Sequence, residues 1–198
     1  MIKKVVQKVV LAGLVLTTPL MAEFDFNKDM YSLLAFEGGY SSFDVEKNVV
    51  STPVTPATIT KYDMTHVGLK IGAQSKNYRV FLSGRYYNAD NFDYATTIGA
   101  ELQYMFNFSS FANFYVGVNG GIANMRFTTP TETKSRTISD PYYGGDAGFN
   151  LHITKSFDFE LGARVMQIQA ENKIGAVSFK FDNLVSGYAS LIFKYKMD

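Results

Sequence analysis

At 198 residues and a formal net charge of +1, the chain has no basic excess of the kind that marks nucleic-acid or polybasic lipid partners. Its 46% hydrophobic and 15% aromatic residues coexist with a mean hydropathy of -0.04, so the apolar residues are dispersed among polar ones and not gathered into spanning helices. The lack of cysteine excludes a disulfide framework and cysteine metal sites, and the length fits one domain.

The first residues read as an export signal. Lys3, Lys4 and Lys8 precede an apolar run from Val9 to Leu16, and Pro19-Leu20-Met21-Ala22 offers a cleavage site. A spanning helix needs roughly 20 apolar residues, which this run does not reach, and an amphipathic anchor would need a polar face that it lacks. The expected division is a signal peptide over 1–22 and a β-barrel domain over 23–198, with Glu23 starting the mature chain. No lipobox cysteine is present.

The mature sequence then breaks into eight segments of period-two alternation, the pattern of a sheet with two unlike faces. The first, Met30 to Phe43, puts Leu34, Phe36, Gly38 and Tyr40 on one face and Leu33, Ala35, Glu37 and Gly39 on the other, because the reverse would set Glu37 among aromatics. The second opposes Val67, Leu69 and Ile71 to His66, Gly68 and Lys70; the third opposes Tyr78, Val80, Leu82 and Tyr86 to Arg79, Phe81, Ser83 and Arg85. In the fourth, Ile98, Ala100, Leu102, Tyr104 and Phe106 face away from Gly99, Glu101 and Gln103. The fifth sets Phe114, Val116, Val118 and Ile122 against Tyr115, Gly117, Asn119 and Gly121, and the sixth sets Tyr143, Ala147, Phe149 and Leu151 against Asp146, Gly148, Asn150 and His152. The seventh opposes Phe157, Phe159, Leu161 and Val165 to Asp158, Glu160, Gly162 and Arg164, and the eighth opposes Val185, Leu191, Phe193 and Tyr195 to Ser186, Tyr188, Ser190 and Lys194.

The connections alternate in length. Ser75–Asn77, Asn107–Asn113 and Thr154–Ser156 form a short side, whereas Asp44–Lys61, Asn88–Ala95, Arg126–Pro141 and Glu171–Asp182 read as long loops on the other. Short periplasmic turns and long extracellular loops mark an outer-membrane barrel. The competing reading is a soluble lipocalin-type barrel with its apolar face inside. Three features decide against it. The polar face carries Glu37, Lys70, Arg79, Arg85, Glu101, Asp146, Glu160, Arg164 and Lys194, of both signs and beside glycines, which suits a narrow lumen. Tyr78, Tyr86, Tyr104, Phe106, Phe114, Tyr143, Phe157 and Tyr195 fall near strand ends on the apolar face, where the two bilayer interfaces lie. A lipocalin also has no need of loops that are long at one end only. The expected fold is all-β, an eight-stranded antiparallel up-and-down transmembrane barrel in the outer membrane of a Gram-negative bacterium.

Ala35-Phe36-Glu37-Gly38-Gly39-Tyr40 and a last strand with Gly187, Ala189, Leu191, Phe193 and Tyr195 resemble the small eight-stranded outer-membrane barrels of the OmpA transmembrane-domain and OmpX type. The resemblance implies outer-membrane lipid and lipopolysaccharide as surroundings, the barrel-assembly machinery as a partner in biogenesis, and a monomer. It also implies a structural or surface-interaction role, with an extracellular ligand or host surface met through the loops. The chain departs from the pattern by ending Lys194-Tyr195-Lys196-Met197-Asp198, and the cell-wall-binding domain that follows the barrel in OmpA is not expected.

Chemistry has little to stand on in the sequence. Some barrels of this size modify lipid A with a His and a Ser at the lipid-facing rim, but His66 and His152 both fall on the polar face, His66 beside Thr65 with no adjacent serine. No enzyme activity and no cofactor are expected. No spacing of ligands suggests a metal. The lumen charges pose a plug against a narrow channel for small or hydrophobic solutes, and a mixed-sign network in a barrel of this strand number favours the plug.

Overall fold

The computed structural model describes residues 30–49, 58–88, 94–128, 135–168, 171–174 and 177–196; the signal peptide expected at 1–22 and its cleavage site lie outside them. The strands are β1 (Tyr31–Val49), β2 (Thr58–Gln74), β3 (Tyr78–Asn88), β4 (Tyr94–Asn107), β5 (Ala112–Thr128), β6 (Ser135–Thr154), β7 (Phe157–Ile168), β8 (Glu171–Ile174) and β9 (Val177–Lys196). Long strands pair antiparallel with their neighbours along the chain, β7 with β9, and β1 closes the circle on β9 with Phe36 opposite Leu191. Eight strands make the barrel, while β8 pairs only with the start of β9, Ile174 opposite Val177. Closure pairs every long strand on both sides around the barrel, and among the described residues β2 and β6 show a one-sided edge only where they outrun a neighbour, at 58–64 and 135–141.

Burial follows the period-two reading on all eight strands. Val67, Leu82 and Ile98 point outward at 63%, 61% and 68% exposure, whereas Lys70, Phe81 and Glu160 point inward at 0%. Hydrophobic residues outside and charges inside invert the soluble arrangement, and the inversion is stable only where the outer surface meets hydrocarbon. Among the described residues no helix is long and apolar enough to cross a membrane.

Strand length is where the structure departs from the sequence reading. Much of the four stretches read as long loops is ladder: Lys47 pairs with Thr58, Thr128 with Ser135, and Glu171 with Lys180. Residues 50–57, 89–93, 129–134 and 175–176 of those stretches lie outside the described ones. β1, β6 and β9 run for 19, 20 and 20 residues, about twice the roughly 9–11 that a tilted strand needs to cross a bilayer. In these stretches the alternation that marks a strand in sequence fades while backbone pairing continues. Val45, Val49, Ile59, Thr60, Thr137 and Ile138 supply the β-branched residues that sustain it. The opposite end keeps its tight connections, as in Ser75, whose backbone N–H donates to the Tyr78 carbonyl at 2.8 Å.

Inward glycines make room for ring side chains. A Cβ at Gly162 would collide with the hydroxyls of Tyr115 and Tyr188, and one at Gly99 with the hydroxyl of Tyr142. The hydroxyl ends of those rings therefore sit against bare backbone.

Candidate functional site

The lumen is filled in layers. Near its middle Glu37 from β1 is a hub: Arg164 reaches it with Nη1 at 2.9 Å and Nη2 at 3.0 Å, Arg85 with Nε at 2.7 Å, and Lys70 with Nζ at 3.1 Å. Arg85 also pairs with Glu101, and Arg164 lies 3.6 Å from it. Toward the short-turn end, Glu160 takes Lys70 Nζ at 2.9 Å, a bond from Ser190 Oγ at 3.2 Å, and Arg79. These side chains are wholly buried. Burying a charge this deeply is tolerable only when it is paired, which the network provides for each of these groups, although Arg79 Nη1 and Arg164 Nε have no hydrogen-bond partner.

Neutral groups extend the network. Gln103 Oε1 accepts from Arg79 Nε at 2.7 Å, while Gln103 Nε2 donates to Asp146 at 2.5 Å; Asn119 donates to the other Asp146 oxygen at 3.3 Å. Asp146 thus joins through amides and has no cation bonded to it among the described contacts. Lys194 is set apart at the short-turn end, where it donates to Asp158 at 2.6 Å. Glu37, Glu101, Asp146, Asp158 and Glu160 are balanced in number by Lys70, Arg79, Arg85, Arg164 and Lys194.

Aromatic rings complete the seal. Arg79 lies 5.0 Å from the centroids of both Phe81 and Tyr115, Lys70 stands over Phe81 and Tyr188, and Arg164 sits 4.3 Å from Tyr188. The Tyr115 and Tyr188 hydroxyls meet at 2.7 Å across the barrel. Leu33, Ala35, Phe81 and Ile192 pack as an apolar cluster on the β1, β3 and β9 side. Arg79, Arg164, Tyr115, Lys70 and Phe81 are all buried inside the barrel.

His66 departs from its expected isolation. Its Nδ1 lies 2.9 Å from Ser41 Oγ, its Nε2 3.2 Å from Glu37 Oε1, and Ser41 is in turn 2.8 Å from Ser186 Oγ. The sequence reading found no serine beside His66, because Ser41 is a neighbour only through the register that sets Tyr40 against Thr65. The Ser–His–Glu order is that of a nucleophile, a base and an orienting acid. However, Ser41 has 0% exposure, and the Glu37 carboxylate is already held by three cations. With Ser41, His66 and Glu37 all buried, the arrangement is a hydrogen-bond chain inside the lumen. His152, on the lumen side and partly exposed, donates from Nδ1 to Asp158 Oδ1 at 2.9 Å when Nε2 is the acceptor for Asn113, at 3.3 Å.

The outer face carries the predicted aromatics in two groups. At the short-turn end Tyr78 stacks edgewise on Tyr104 at 5.1 Å, Tyr104 on Phe106 at 4.8 Å, Phe106 leads to Phe114 at 6.1 Å, and Phe157 packs with Phe193 at 5.3 Å. Tyr195 is exposed beside them. Tyr86 and Tyr143 are exposed farther toward the other end, Tyr143 donating to Gln167. Phe149 and Phe193, read from the sequence as apolar-face residues but not as part of the aromatic girdle, belong to the same surface, as do the exposed turn residues Phe108 and Phe111, which the sequence reading left unnamed. Phe108 and Phe111 sit in a turn, where period two says nothing.

No protein-family model and no curated protein matches the sequence. Solved structures match the fold. Neisserial surface protein A superposes with a TM-score of 0.57 at 15% identity, over 81% of this chain and 99% of that one. The N-terminal β-barrel domain of Pseudomonas aeruginosa OprF gives 0.52 at 12% identity, over 85% and 100%. The chain therefore has the fold of a small eight-stranded outer-membrane barrel.

Proposed function

We propose that this chain is an exported protein of the Gram-negative outer membrane, a monomeric barrel with a closed lumen and no chemistry of its own. Its role is structural or interactive: envelope integrity, adhesion or host contact, carried by the end where the strands outrun the bilayer. The observation that carries the reading is the balanced, ring-capped charge network inside a continuous apolar exterior, which favours a plug over a solute channel. In this reading the short turns face the periplasm, and the signal peptide at 1–22 is removed on export. Bilayer lipid and lipopolysaccharide cover the belt, and the barrel-assembly machinery inserts it. β1 and β2 stay paired as far as Lys47 and Thr58, and this end of the strands carries the contact surface.

The test is conductance. Purified mature protein inserted in planar bilayers should show little or no steady current, and large, stable, ion-selective channels from the unmodified monomer would overturn the closed lumen.

A further inference from the structure

A groove opens on the outer face of the barrel between β4 and β5, in the half nearer the short turns. There Leu102 pairs with Val118 and Tyr104 with Val116, while the intervening pair, Gln103 and Gly117, sends no side chain outward. On the β6 side the residues opposite Val118 and Val116 are Gly145 and Ala147, too small to fill the space. On the β3 side Tyr78 leans edgewise on Tyr104 at 5.1 Å. The groove has a volume of about 250 Å³, with Tyr78, Leu102, Tyr104, Val116 and Val118 as walls and the backbone of Gln103 and Gly117 as floor.

Polarity changes along it. The mid-belt end is Leu102 and Val118, the latter 61% exposed. The other end is Tyr104, whose hydroxyl accepts from Asn77 Nδ2 at 3.2 Å. Asn77 belongs to the turn between β2 and β3, which is fastened to the end of β4: the Met105 N–H donates to the Asn77 carbonyl at 2.7 Å, and Asn107 Nδ2 donates to the Lys76 carbonyl at 2.8 Å. The Lys76 backbone is thereby held beside the end of β4, its side chain is exposed, and neither 75–77 nor 108–111 contains an acidic residue.

We propose that this groove holds one anionic glycerophospholipid of the leaflet at the short-turn end, an acyl chain lying between Leu102 and Val118 and the headgroup meeting Tyr104, Asn77 and Lys76. The proposal rests on the reading that the apolar belt meets lipid, and it adds to that reading a defined site with a preferred lipid class. An apolar trough that ends on a hydroxyl, an amide and an ammonium has the polarity of a single lipid molecule. A methylene is close in size to a water, about 30 Å³, so the volume takes a stretch of several. A neighbouring barrel presents a broad convex face, whereas an acyl chain is narrow enough to lie on a floor of backbone. One lysine near a membrane surface favours an anionic headgroup by about fivefold over a zwitterionic one.

The test is lipid retention. The folded barrel is reconstituted in nanodiscs of equal parts phosphatidylglycerol and phosphatidylethanolamine, released into mild detergent, and the lipids that stay bound are counted by native mass spectrometry. One phospholipid per barrel should remain, with phosphatidylglycerol favoured by about fivefold. Lys76→Gln should abolish that preference, whereas Lys155→Gln, in the turn between β6 and β7, should leave it intact. Val118→Phe fills the groove and should remove the retained lipid. No retained lipid, retention undiminished in Val118→Phe, or equal effects of the two lysine variants would overturn the site, as would lipid A displacing the phospholipid when it is added as a competitor. If Val118→Phe does not fold, the two lysine variants in exposed turns decide. The gel shift on boiling, read on each preparation, separates the two claims: a heat-modifiable barrel that retains no lipid overturns the groove site alone, and a chain that never enters the bilayer overturns the membrane reading and the site with it.

Discussion

Replacing Glu37 with Gln should be among the most damaging isosteric changes available in this barrel. The carboxylate is the shared acceptor of Arg164, Arg85 and Lys70, with contacts of 2.9, 2.7 and 3.1 Å, and all four side chains are wholly buried. Removing one partner from a buried ion pair costs about 3–5 kcal/mol, most of it from the charge left behind. Part of that is absorbed here, because Arg85 still has Glu101, Lys70 still has Glu160, and the amide oxygen can still accept a hydrogen bond. The expected loss therefore sits at the low end, about 3 kcal/mol. Asp146→Asn is the matched control: its partners are the amides of Gln103 and Asn119, so it should cost about 1 kcal/mol, as for an ordinary hydrogen bond weakened by loss of charge. Both are measured by urea titration of protein folded into lipid vesicles, read from the gel shift between unboiled and boiled samples. Equal losses for the two variants, or a Glu37→Gln loss below about 1 kcal/mol, would mean that the hub is hydrated and the network is not what closes the lumen.

Leu102 faces outward opposite Val80 and Val118, so Leu102→Arg should destabilise the folded barrel by roughly 2–4 kcal/mol in the same vesicle assay, and no effect would place that surface out of hydrocarbon. Gly162→Val should cost about 1–3 kcal/mol by driving side-chain carbons against the Tyr115 and Tyr188 hydroxyls, and pairing it with Tyr188→Ala should recover part of the loss; additive losses would refute the steric account. Ser41→Ala, His66→Ala and His152→Ala should leave the lipid A acylation pattern of the host cell unchanged by mass spectrometry, and an altered pattern would turn the buried serine and histidine into an active site.

Strand faces were legible in the sequence because each strand crosses a boundary between two solvents, and period two records it residue by residue. The placement of Glu37 followed from one physical choice, that a carboxylate does not sit between Phe36 and Tyr40 on an apolar face, and it fixed the inward set on β1. Strand ends were not legible. At Asp44 to Val49 and Thr58 to Lys61, pairing continues where the polarity difference that reveals it has gone. The pairings inside the lumen were equally hidden. Arg164 meets Glu37 across 127 residues of sequence, and Ser41 meets His66 by inter-strand register, which a list of inward residues does not contain. Asp158, on the inward face by parity, gained its importance only once His152 and Lys194 were brought to it.

The most direct measurement of the account as a whole is where the mature chain resides and in what form. Expressed as the full 198-residue sequence in a Gram-negative host and fractionated, it should appear in the outer membrane as a band whose gel mobility changes on boiling, and it should leave that fraction only with detergent. Recovery as a soluble periplasmic monomer with no heat-modifiable form would contradict the inverted, lipid-facing surface and the surface role that rests on it.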